Sequence, residues 1–167
     1  GATITVKDAS GNAVSSGASV TYQSVLTVTL TPSSGYRVKT VTINGTSKKT
    51  YTTMSTTAVT YEYTVGAADF TVSGTAGKIF KVSYSQVTGG TIAVTNNSSG
   101  AAISSGSYVD TGTVIKVTVT EATGYNLSTL KAGSTSLENG GTYTVSAATT
   151  VAATYVKETY KVTVTTP

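Results

Sequence analysis

The 167-residue sequence contains no cysteine, no histidine and no tryptophan. Without cysteine it builds neither a disulfide framework nor a thiolate metal site, and cysteine usage gives no reading of its redox compartment. Without histidine it lacks the commonest general base at neutral pH and the commonest transition-metal ligand, which removes most hydrolase triads and zinc sites together. Leucine is scarce, with 5 residues against 22 valines and 37 threonines. That β-branched excess favours pleated strands over helices. Charge is sparse as well: eleven Lys and Arg against seven Asp and Glu give a net +4. The bases are scattered, with only Lys48 and Lys49 adjacent, so no basic stripe for nucleic acid is expected. No apolar run approaches the roughly 20 residues that cross a bilayer, so no membrane insertion by this segment is expected. No signal peptide precedes Gly1-Ala2, a start that reads as an excised segment.

What is present is a duplication. Val14 to Tyr36 recurs as Ile103 to Tyr125 at a constant offset of 89, with Ser15, Ser16, Gly17, Val20, Val25, Val28, Thr29, Thr31, Gly35 and Tyr36 identical in both copies. A fixed period of this density means one supersecondary unit used twice. The length then divides into two units of about 80 residues, each with a small core.

Each copy begins with an alternating strand, Thr3-Ile4-Thr5-Val6 and Thr91-Ile92-Ala93-Val94, followed by polar turns, Asp8 to Asn12 and Asn96 to Gly100. Asp8 and Asn12 offer oxygens to a calcium ion, but the second copy has no carboxylate there, so a plain turn is the reading and no metal site is expected. Leu26, Val28 and Leu30 alternate with threonines, and Ile115, Val117 and Val119 repeat the pattern. One face of that strand is core and the other wet. The next strand has apolar positions 36, 38, 41, 43 and again 125, 127, 130, 132. A step of three breaks the period of two, so a β-bulge is predicted near Lys39-Thr40 and Ser128-Thr129. Asn44-Gly45 and Asn139-Gly140 carry the sequence of two-residue hairpin turns. The first copy holds nine extra residues between its two recurring tyrosines, Tyr36 and Tyr63, placed as a loop or hairpin insertion near 46–61.

Phe80-Lys81-Val82-Ser83-Tyr84 recurs as Tyr160-Lys161-Val162-Thr163-Val164 at an offset of 80. The repeat is therefore phased from about Lys78. Repeat 1 spans 1–77 and lacks its opening strand, repeat 2 spans 78–158, and 159–167 is a strand of a truncated third repeat or the closing edge of repeat 2. The fold class is all-β: two tandem small repeats, sandwich-like or grasp-like, mostly antiparallel, with little or no helix.

Taken together, F/Y-K-V, G-G-T-I-x-V, S-S-G-x-x-V, V-x-V-T-x-T-x-x-x-G-Y and the closing Y-T-V resemble the divergent internalin-type B-repeat, or bacterial repeat domain, of secreted surface proteins. The resemblance covers nearly the whole chain. The tryptophan that many such repeats place shortly after the Gly-Tyr step is absent, with Val41 and Leu130 in its neighbourhood. The resemblance implies a small β-rich domain strung in tandem in an extracellular or cell-surface protein, acting as stalk, spacer or adhesive module. It carries no catalytic residue over to this chain, and neither an enzyme nor a cofactor is expected.

Two other functions were open to this inventory. A glycoside hydrolase requires paired carboxylates, and none of Asp8, Glu62, Asp69, Asp110, Glu121, Glu138 and Glu158 recurs at a matched position. A carbohydrate-binding module stacks sugars on exposed rings. Tyr36 with Tyr125, Tyr63 with Tyr143, and Phe80 with Tyr160 occur in both copies and read as core. Tyr22, Tyr51, Tyr61, Tyr108 and Tyr155 have no aromatic counterpart, so they are the candidate ligand-binding residues, with Tyr51 and Tyr61 in the insertion foremost. The expected partners are neighbouring repeats of the same protein, and an extracellular glycan or host protein.

Overall fold

The computed structural model describes residues 1–165, and among them there are thirteen strands and no helix. The chain divides after Ile79 into two compact units, Gly1–Ile79 and one that begins at Phe80. The first contains β1 (Ala2–Lys7), β2 (Val25–Pro32), β3 (Tyr36–Ile43), β4 (Thr46–Thr50), β5 (Val59–Thr64) and the first part of β6 (Val72–Tyr84). One of its sheets has the order β1-β2-β5, and in the other β3 lies between β4 and β6, all antiparallel. The second unit adds β7 (Gly90–Asn96), β8 (Ser107–Asp110), β9 (Val114–Glu121), β10 (Tyr125–Ala132), β11 (Thr135–Ser136), β12 (Thr142–Thr144) and β13 (Thr149–Lys157). Its order β7-β9-β12 repeats β1-β2-β5, and β11-β10-β13 repeats β4-β3-β6.

Within each unit the two sheets share one core, as a small sandwich does. In the first, Val28 and Leu30 of β2 meet Val38 and Val41 of β3. In the second, Ile115, Val117 and Val119 of β9 meet Leu130, Ala132, Val151 and Ala153 of the facing sheet. The alternation read in the sequence decides this: Leu26, Val28 and Leu30 are buried while the threonines between them are not. Each such side chain contributes about 1.5–3 kcal/mol by leaving water.

The bulges form where the spacing predicts them. The β3–β6 register skips between Val38 and Thr40, and the β10–β13 register between Leu127 and Thr129, leaving Lys39 and Ser128 as the extra residues. Asn44-Gly45 makes the predicted hairpin between β3 and β4, with φ of 50° and 74° as a type I′ turn requires. Asn139-Gly140 does not make a hairpin. β11 pairs with β10 and β12 with β9, so this dipeptide joins strands of different sheets. The Asn139 side chain instead accepts from the Val119 N–H at 2.8 Å and donates to the Val119 carbonyl at 2.9 Å, docking the crossover onto β9. The nine extra residues of the first copy are spread, three to each, over a longer β4, a longer loop at 51–58 and a longer β5.

Two further expectations are corrected. Tyr36 and Tyr125 are half-buried and belong to neither core. Gly35 and Gly124, at φ of 76° and 80°, turn the chain so that each ring lies against the residue before the first strand, Gly1 or Gly89. The strand expected over 159–167 is not formed within the described residues: the ladder ends at Lys157, and Tyr160, Val162 and Val164 are 78, 83 and 83 % exposed. Residues 166 and 167 of that expectation lie outside the described residues. Its counterpart Val82–Tyr84 pairs in parallel with Thr149–Val151, whereas no strand among the described residues pairs with Tyr160–Val164.

Candidate functional site

The two units differ most at one place. In the second, Phe80–Tyr84 closes the sandwich: Val82 is wholly buried among Ile92, Val94, Ile103, Val109 and Val151, with Phe80 and Tyr84 packed beside it. Backbone bonds fix this segment from both sides. Val82–Tyr84 pairs with β13, β8 pairs with β6, and the Gly106 N–H donates to the Val82 carbonyl at 2.8 Å. Ser105 reinforces it, its Oγ accepting from the Tyr84 N–H at 2.8 Å, while the Tyr84 hydroxyl donates to the Ile103 carbonyl at 2.9 Å.

The first unit has no strand at the equivalent place among its residues, and a groove of about 1150 Å³ opens there. Ile4, Val6, Val14, Val20, Leu26 and Val72 line it. Their counterparts Ile92, Val94, Ile103, Val109, Ile115 and Val151 are buried in the second unit. Ile4 is 38 % exposed where Ile92 is 3 %. Residues 18–21, which match β8, are outside any strand. Phe70, whose ring tilts against Tyr63 at 4.7 Å, borders the groove together with Tyr22.

The five candidate tyrosines occupy different surroundings. Tyr22, 60 % exposed, lines the groove, and Tyr108 lies exposed on β8. Tyr51 and Tyr61 come together, both half-buried against the first core. The Tyr51 hydroxyl donates to the Thr60 carbonyl at 2.9 Å, and burial, with Tyr61 nearby, raises its pKa above the ordinary phenol value. Tyr155 packs over Gly89 and Gly90, where a glycine pair leaves room for its ring, and burial and then Glu121 raise its pKa. The structure therefore joins two of the five, Tyr51 and Tyr61.

Arg37 was not singled out by the sequence. It is buried, and its Nη1 donates to the Tyr51 carbonyl at 2.8 Å, clamping the insertion onto β3. The available signal was its replacement by Asn126 in the copy without the insertion. Asp8 makes a turn. Its Oδ1 accepts from the N–H groups of Ser10 and Asn12 at 2.9 and 2.8 Å, and hydrogen bonds from Asn12 first of all hold its pKa below the usual carboxylate value. Asn96 makes the matching turn, accepting from the Ser98 N–H at 2.9 Å.

Comparison with known proteins agrees with the motifs. Residues 80–159 match the family described as the divergent InlB B-repeat domain. No curated protein and no solved structure matches the chain. Domains of this family occur in bacterial surface or secreted proteins. The match falls on the unit whose sandwich is closed by Phe80–Tyr84, so that the second repeat is similar to a divergent InlB B-repeat domain.

Proposed function

We propose that this chain is a non-catalytic tandem-repeat module of a bacterial cell-surface or secreted protein, working as a stalk or spacer and as an adhesive surface. The observation that carries this reading is the use of one strand order twice, with the residues common to both copies committed to strands, bulges and turns. Repetition of a unit that keeps its own core lengthens a protein without new chemistry. Displaying the chain on a bacterial surface with additional copies of 78–158, and measuring the height of a terminal fluorophore, tests it. Height increasing by a constant step per copy is expected, and a height independent of copy number contradicts the spacer.

A second reading, a carbohydrate-binding module, rests on Tyr51 and Tyr61, which pack against the same core in the unit that alone has the insertion. An oligosaccharide array probed with the whole chain and with Tyr61→Ala tests it: binding lost in the variant supports glycan recognition, and an array without signal rejects it.

A further inference from the structure

We propose that Asn44-Gly45 is a self-modification site, where the main-chain nitrogen of Gly45 displaces the Asn44 side-chain amide and water completes the conversion to isoaspartate and aspartate. The fold shields the same dipeptide at Asn139-Gly140. These are the two places in the sequence where glycine follows asparagine. Glycine matters because it has no Cβ to obstruct the approach of its nitrogen. What separates the two sites is how their reacting groups are held.

At Asn139-Gly140 every reacting group is tied to β9. The Gly140 N–H, the nucleophile, donates to the Val117 carbonyl at 2.8 Å. The Asn139 Nδ2, the leaving group, donates to the Val119 carbonyl at 2.9 Å, and Oδ1 accepts from the Val119 N–H at 2.8 Å. Because β9 is the central strand of its sheet and Val117 and Val119 are buried, these bonds have a fixed anchor. At Asn44-Gly45 only the side-chain oxygen is tied. It accepts from the Thr71 N–H at 2.7 Å and the Thr71 hydroxyl at 3.3 Å. Neither the Gly45 N–H nor the Asn44 Nδ2 has a hydrogen bond among the described residues. Asn44 and Gly45 are both exposed, and β4 beyond them is an edge strand exposed along its whole length. Such an edge opens locally at low cost, which frees the Asn44 side chain to swing from Thr71 onto the Gly45 nitrogen.

In the first step the Gly45 nitrogen loses its proton to solvent hydroxide and bonds to Asn44 Cγ. The Cγ–Nδ2 bond breaks, and Nδ2 takes a proton from water and leaves as ammonia. Water then opens the cyclic imide. Cleavage between Cγ and nitrogen gives aspartate, and cleavage at the main-chain carbonyl gives isoaspartate, whose chain runs through Cβ and Cγ. One water is consumed, one ammonia is released, and nothing is oxidised or reduced. The new carboxylate lowers the formal net charge of +4 by one. Isoaspartate also adds a main-chain atom inside a two-residue turn, whose length sets the register of β3 with β4.

Incubating the whole folded chain in mildly alkaline heavy-oxygen water, then mapping its peptides by mass spectrometry, tests this, since each event fixes one labelled oxygen at the converted residue. Asn44 is expected to convert at least roughly tenfold faster than Asn139, the factor supplied by the two additional hydrogen bonds on Asn139 Nδ2 and Gly140. In denaturant the two sites should convert at comparable rates, because the shielding belongs to the fold. The converted chain, separated by its added negative charge, should exchange its β4 amides faster than the parent while Val117 and Val119 keep their protection. Asn139 converting as fast as Asn44 in the folded chain, a rate ratio that persists in denaturant, or no conversion at folded Asn44 overturns the proposal. Parent-like exchange throughout β4 of the converted chain overturns its consequence for the hairpin.

Discussion

Gly90 and Tyr155 show how single residues carry differences between the copies. A Cβ at Gly90 would collide with the Tyr155 ring and come within 2.6 Å of the Thr120 carbonyl oxygen. The first copy has Ala2 and Ala76 at the equivalent positions, trading a large ring over glycine for two small residues. Gly90→Ala should cost about 1–3 kcal/mol as an overpacking change. Adding Tyr155→Ala should make the double variant less destabilised than the sum of the singles in a denaturant melt, since the two sites touch. Strict additivity would contradict the contact. Tyr51 offers a pH-dependent counterpart. Burial raises its folded-state pKa above the unfolded value near 10, so its contribution is complete below that value and is lost as pH rises through the folded pKa. Tyr51→Phe should cost about 1 kcal/mol at neutral pH through the bond to Thr60. The gap to wild type should narrow in alkaline melts, and a widening gap would contradict the assignment.

Among the elements, the β3–β4 hairpin depends on Asn44 for two separate reasons. Its φ of 50° suits few side chains, and its Oδ1 accepts the Thr71 N–H at 2.7 Å. Asn44→Ala should therefore cost about 1–2 kcal/mol in a thermal or denaturant melt. Asn44→Gly should cost less, because Gly133 serves the matching turn at φ 59°. Equal losses would show that the turn conformation is irrelevant. The elements also show what was legible in the sequence. The bulges at Lys39 and Ser128 could be read because a period of two tolerates no step of three, and the Asn44-Gly45 turn because positive φ restricts residue choice. Asn139-Gly140 misled for the same reason: a turn dipeptide specifies local backbone, not which sheet its flanking strands join. Tyr36 and Tyr125 misled because recurrence marks a shared contact, here with a strand-leading glycine, and does not distinguish it from core. The strand at Tyr160–Val164 was legible as a pattern and absent as structure, since a strand needs a partner as well as alternation.

At the scale of the whole molecule, two copies of one fold differ chiefly in the exposure of matching apolar positions, Ile4 at 38 % against Ile92 at 3 %. The tyrosine pair Tyr51 and Tyr61 and the clamp of Arg37 belong to the insertion. The groove lies where Phe80–Tyr84 packs in the second unit, and no single residue of Ile4, Val6, Val14 or Val20 announces it. It emerges only when their exposure is set beside the burial of Ile92, Val94, Ile103 and Val109.

The central claim is that a strand such as Phe80–Tyr84 is what closes a repeat of this fold. Placing a copy of residues 80–88 directly ahead of Gly1 tests this most directly, because Gly1 stands where Gly89 stands in the second copy. Unfolding followed by hydrogen exchange at Val28, Leu30 and Val41 reports on the first unit alone. The extended chain should protect these amides by at least ~2 kcal/mol more than the parent, roughly the burial of one valine with its flanking rings. Protection unchanged by the added strand would contradict the account.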